Sequence, residues 1–69
     1  MSVYKVIELV GTSDASWEDA AATAIAAARQ SLRDLRVASV VEQDVDLSDA
    51  DSLTYRVKLR VSFKYEGGE

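Results

Sequence analysis

A chain of 69 residues with 48% apolar side chains, no cysteine and no histidine has material for one domain at most. Chains of this size bury only about 60% of the surface they expose when unfolded, and with neither disulfides nor a zinc site available, association with further copies is the stabiliser left by elimination. The formal charge of −4 argues against nucleic acid as a partner, because neutralising phosphates takes a concentrated basic surface, and it makes cations the more natural ligands.

The opening residues, Met1-Ser2-Val3-Tyr4-Lys5, have no basic region leading into an apolar one, and no apolar run approaches the length of a membrane span. A cytoplasmic protein without a membrane partner is the expectation. No proline, three glycines and no repeat leave little room for linkers, so residues 1–69 are read as a single domain. From Val3 to Val10 the residues are mostly β-branched or aromatic, which predicts a first strand over 3–10, and Gly11-Thr12-Ser13 has the composition of a closing turn. Ser16-Trp17-Glu18-Asp19 then places a capping hydroxyl three residues before a carboxylate, a helix start. The alanine-rich stretch that follows predicts a helix over 16–34. Its apolar stripe is Trp17, Ala21, Ala24, Ile25, Ala28, Leu32 and Leu35. Ala22, Ala26 and Ala27 lie off that stripe, as a second contact face or as plain helix formers.

The remainder alternates with period two. A strand is expected over 36–47, a turn over Ser48-Asp49-Ala50-Asp51-Ser52, and a strand over 53–65, where Leu53, Tyr55, Val57, Leu59, Val61, Phe63 and Tyr65 alternate with polar residues. The fold class is therefore α+β, in the order β-α-β-β, with one helix on a three-stranded antiparallel sheet. A single helix covers one face of such a sheet, and the other needs a partner or water. Centring the hairpin on its turn sets Asp44 opposite Arg56 and Glu42 opposite Lys58, on the same side. That side is either a solvated, charge-paired surface or the lining of a polar cavity between copies.

With no His or Cys, catalysis would have to rest on carboxylates, Lys or Ser, and none of these stands isolated in an apolar setting where its pKa could be moved. A non-enzymatic protein is expected. Asp46-Leu47-Ser48-Asp49-Ala50-Asp51 lacks the flanking helices and the Gly and Glu of a helix-flanked calcium loop and reads as an acidic turn. Glu42, Asp44 and Asp46 differ, since alternate positions on a strand send three carboxylates to one face. Such oxygens suit calcium or magnesium; the competing role is pairing with Arg56 and Lys58. Gly11-Thr12-Ser13 lacks the lysine and spacing of a phosphate loop. Trp17 is either a core anchor or a stacking platform.

The segment Tyr4-Lys5-Val6-Ile7-Glu8-Leu9-Val10-Gly11-Thr12-Ser13, followed by one alanine-rich helix and two long strands carrying Val40-Val41-Glu42-Gln43 and Leu53-Thr54-Tyr55-Arg56-Val57, resembles the dodecin family over almost the whole chain. The resemblance implies a subunit of a hollow homododecamer that stores or buffers a small ligand without turnover. The family's flavin-site positions correspond to Val37, Gln43 and Arg56. Val37 stands where flavin-binding members carry a stacking tryptophan, and Arg56 where they carry a hydrogen-bonding glutamine, so flavin is disfavoured. Met-Ser-Val-Tyr-Lys-Val-Ile at the start, Ser-Trp-Glu at the helix and Glu-Gln-Asp in the second strand resemble the calcium-binding branch. On that likeness Glu42, Asp44 and Asp46 are the expected cation ligands. Flavin storage and a purely structural shell are the alternatives.

Overall fold

The alternation between residues 54 and 64 builds the centre of the molecule. In the computed structural model, which describes residues 1–65 and so leaves 66–69 of the expected domain outside the described residues, the elements are β1 (Tyr4–Ser13), α1 (Trp17–Ser31), β2 (Leu35–Asp46) and β3 (Thr54–Lys64). β3 is the middle strand of an antiparallel sheet ordered β1-β3-β2. Its inward residues Val57, Leu59 and Val61 are each 1% exposed and face the helix row Ala20, Ala24 and Ala28. Burying each of those three strand side chains contributes about 1.5–3 kcal/mol. Ile7, Leu9, Trp17, Ala21, Ile25 and Leu35 pack around them.

The helix lies unusually close to β1. The Ser16 hydroxyl caps it by accepting from the Asp19 amide at 3.0 Å, while Ser13 donates to the Asp19 carboxylate at 2.6 Å and accepts from the Ala15 amide at 2.9 Å. Ser13 thus ties the end of the strand to the first helical turn. Gly11-Thr12-Ser13 is not the expected turn: β1 continues through it, with Gly11 paired to Val57 and Ser13 to Tyr55. Glycine is required there because the helix backbone passes over it. A Cβ on Gly11 would lie 2.1 Å from the Ala20 carbonyl oxygen and 2.9 Å from the Ala24 Cβ. The same contact puts Ala20, absent from the expected stripe, in the buried row, where it is fully covered. The helix ends at Ser31, short of the expected 34, because Leu32 is already extended with its N–H on the Ala28 carbonyl and Asp34 turns the chain at φ 58°. Aspartate tolerates that left-handed conformation better than most residues.

β2 departs from strict alternation. The register shifts between Leu35 and Val37 and again between Val40 and Glu42. An inserted residue reverses which side later residues face. Val37 and Ser39 therefore share the side of Glu42, Asp44 and Asp46, away from the helix, whereas Ala38, Val40, Gln43 and Val45 are on the helix side. The helix sits over β1 and β3 and leaves much of β2 bare on both faces: Val37, Val40 and Val41 are 61%, 55% and 43% exposed. The molecule measures 49 × 20 × 16 Å, with a radius of gyration of 14.1 Å against about 11 Å for a compact chain of this length. Its hairpin extends beyond its own core. Among the described residues, no helix is long and apolar enough to cross a membrane.

Candidate functional site

The face of the sheet turned away from the helix is a lattice of charge. β3 contributes Arg56, Lys58 and Arg60, β2 contributes Glu42, Asp44 and Asp46, and β1 contributes Glu8, each placed by the strand register. The pairing of Asp44 with Arg56 and of Glu42 with Lys58 is the one expected from centring the hairpin. Arg56 grips Asp44 with two hydrogen bonds, Nε to Oδ1 at 2.7 Å and Nη2 to Oδ2 at 2.9 Å. Arg60 donates to Glu8 at 2.8 Å, and the Lys58 ammonium stands 4.0 Å from the same carboxylate. Glu42 makes no ion pair among the described residues. With Val10, the side chains of Glu42, Asp44, Arg56 and Lys58 line a depression of about 150 Å³.

The three expected cation ligands are on one side of one strand but do not converge. Asp44 is taken by Arg56, and Asp46 turns into the hairpin, where its Oδ1 accepts from the Ser48 amide at 2.9 Å and from the Ser48 hydroxyl. Among the described residues, no three acidic side chains come together around a possible ion. Alternate residues on a strand are about 6.6 Å apart, too far for one cation to take all three as direct ligands at roughly 2.3–2.6 Å. The flavin-site positions are also dispersed. Val37 and Arg56 share the uncovered side but are separated by the stretch of β3 from Arg56 to Ser62, the partner of Val37, about 20 Å. Gln43 is on the opposite side, across from Val57.

Trp17 is anchored from two directions. Its Nε1 donates to the backbone carbonyl of Asp44 at 3.0 Å, and its ring meets Tyr55 edge-on with centroids 5.2 Å apart and planes at 77°. Spacing along the helix shows its apolar role but cannot show the hydrogen bond, which needs the sheet to bring Asp44 beneath the helix start. Trp17→Phe should keep the edge contact and lose the hydrogen bond. The expected result is a loss of about 1 kcal/mol in denaturant unfolding, and an unchanged midpoint would show that the bond contributes nothing net.

The charge lattice also sets an acid limit. The Arg60 hydrogen bond, aided by the Lys58 and Arg60 charges, holds Glu8 below the usual carboxylate range, and the Arg56 hydrogen bond does the same for Asp44. Hydrogen bonds from Ser48 lower Asp46, and Asp44 raises Arg56 further. A carboxylate whose pKa is depressed on folding contributes stability that is complete above its unfolded value, about 4, and disappears as pH falls through the folded value. Thermal unfolding should therefore be insensitive to pH from neutrality to about 5 and weaken below about 4. A midpoint that declines steadily from neutrality downward would contradict this.

The β-α-β-β order, with the helix brought close to the sheet at Gly11 and a charged, uncovered opposite face, defines a small α+β protein with one face of its sheet left open. The chain belongs to the dodecin family, whose model, described as Dodecin, matches residues 3–66. It is 59% identical over 64 residues to calcium dodecin of Mycobacterium tuberculosis, covering 93% of this chain and 90% of that protein. It is 42% identical over 64 residues to dodecin of Thermus thermophilus, covering 93% of each. Among solved structures, the calcium dodecin of M. tuberculosis, described as a calcium chelating immunodominant antigen with a novel calcium-binding site, superposes with a TM-score of 0.87 at 54% identity, over 99% of this chain and 97% of that one. Dodecin from Streptomyces coelicolor gives 0.88 at 30% identity, over 97% and 96%.

Proposed function

We propose that this chain is a non-enzymatic storage or buffering protein that assembles into a hollow homododecamer and holds calcium through carboxylates contributed by more than one copy. The observation that carries the reading is the row Glu42, Asp44 and Asp46 on the uncovered side of the sheet, in a chain 59% identical to a protein named calcium dodecin. Calcium takes six to eight oxygen ligands. One chain offers a few carboxylate oxygens on a flat strand, so neighbouring copies and water have to complete the shell. β2, much of it bare on both faces, supplies the surface on which copies can meet.

The absence of His and Cys and the downward direction of the shifted carboxylates among the described residues, Glu8, Asp44 and Asp46, favour binding over catalysis. A general acid or base working near neutrality needs a carboxylate raised, not lowered. Flavin storage has less support, because Val37 offers no aromatic face, Arg56 is engaged by Asp44, and Gln43 is on the other side of the sheet. A cytoplasmic setting is part of the same reading.

Titration calorimetry of metal-stripped protein with calcium tests the proposal, with magnesium titrated alongside and light scattering giving the mass. Heat beyond dilution is expected for calcium, from a particle of about twelve times the 7.5 kDa chain mass. Calcium heat no larger than dilution would remove the cation reading, and quenching of riboflavin emission would replace it with the flavin one.

A further inference from the structure

The depression on the uncovered face is lined by charges of both signs in equal number. Glu42 and Asp44 stand there with Arg56 and Lys58, so the charges of the four side chains cancel. Their pairing is uneven. Arg56 grips Asp44 through Nε and Nη2 at 2.7 and 2.9 Å, whereas Lys58 stands 4.0 Å from a Glu8 carboxylate that already accepts from Arg60 at 2.8 Å. Glu42 enters no ion pair among the described residues. The guanidinium is tightly satisfied and the ammonium only loosely.

A divalent cation held by Glu42 and Asp44, which alternate residues about 6.6 Å apart along a strand can flank, changes this balance. It takes the Asp44 oxygens that Arg56 grips. The guanidinium then has no acidic side chain to turn to, since Asp46 is engaged by Ser48, Glu8 by Arg60 and Glu42 by the cation. The depression, neutral in its side chains, acquires the full double positive charge of the ion. Two basic groups without partners beside a divalent cation, on a surface about half exposed, attract an anion. The fork of N–H groups that fits the two oxygens of Asp44 fits two oxygens of another oxyanion equally well. Thr12, exposed and paired with Arg56 across β1, adds a hydroxyl donor on the same side.

We infer that this depression is a site for a cation and an anion together, with calcium on Glu42 and Asp44 and a small, doubly charged oxyanion on Arg56, Lys58 and Thr12. The two ligands replace the single Asp44–Arg56 pair with two pairs, so each raises the affinity for the other, and thermodynamic linkage makes the effect reciprocal. The inference rests on the cation reading proposed above and adds the anion to it.

Titration calorimetry of metal-stripped protein with calcium, run in sodium chloride and in sodium sulfate at equal ionic strength, tests it. Calcium is expected to bind the wild type about fivefold or more tightly in sulfate. Weak pairing of sulfate with calcium in solution lowers the free ion and acts against that direction, so it cannot imitate the result. Arg56→Gln should bind calcium equally well in the two salts, even though its affinity in chloride exceeds that of the wild type. Lys58→Gln, which leaves the guanidinium in place, should gain from sulfate but less than the wild type does. Equal or weaker wild-type binding in sulfate would overturn the anion site, and so would a gain in Arg56→Gln as large as the wild type's. Calcium heat in neither salt would remove the cation reading itself, whereas calcium heat without dependence on sulfate removes only the anion.

Discussion

Gly11→Ala should be the most damaging single substitution in this chain, removing more than half of its stability. The added methyl would lie 2.1 Å from the Ala20 carbonyl oxygen, and that oxygen belongs to the helix backbone and cannot rotate aside as a side chain end could. Relief requires the helix to lift from β1, which opens the contacts of Ala20 and Ala24 with Val57 and Leu59. Overpacking a filled core typically costs about 1–3 kcal/mol, and more when backbone must move; the upper end, about 3 kcal/mol, is expected here. A domain of this length has only about 5 kcal/mol of stability to lose. Denaturant unfolding followed by Trp17 emission measures the loss. A penalty below about 1 kcal/mol would mean that the helix does not approach β1 as closely as the structure describes.

The second large effect concerns the uncovered face. Glu42→Gln combined with Asp44→Asn is expected to weaken calcium binding by about tenfold or more, because neutral amides replace the carboxylates that suit a hard divalent cation. Arg56→Gln should act in the opposite direction. The Arg56 guanidinium occupies both oxygens of Asp44, so a cation reaching that carboxylate has to displace a bidentate partner. Removing the guanidinium frees both oxygens and removes a positive charge from the depression they share. Calorimetry on the three proteins separates the readings. If Arg56→Gln leaves calcium affinity unchanged, Asp44 is not a ligand. If the Glu42 and Asp44 pair lowers assembly stability equally with and without calcium, the charged face serves the shell rather than an ion.

Some of this was readable before any coordinates. The strict alternation of 54–64 states that β3 has one apolar and one polar side whatever its neighbours, because side chains on a strand point alternately to opposite faces. The helix start at Ser16-Trp17-Glu18-Asp19 is likewise local, since a cap joins a hydroxyl to an amide three residues on. The pairing of Asp44 with Arg56 followed from the short turn between two long strands, which fixes register by counting.

Other features depended on where distant segments come to rest. Gly11-Thr12-Ser13 has the composition of a turn, yet it is strand, and only the passage of Ala20 across Gly11 explains the glycine. The bulge at Val41 puts Val37 on the side of Glu42 and parts it from Gln43, which stays on the helix side, because period-two counting fails at an inserted residue. Sequence alone determined the elements, the amphipathic central strand and the charge pairs next to the turn, since hydrogen bonds and side-chain alternation over a few residues decide them. Tertiary structure decided how near the helix sits, which face each carboxylate occupies and how far apart the candidate ligands stand, because those are distances between segments that meet only after the sheet has formed.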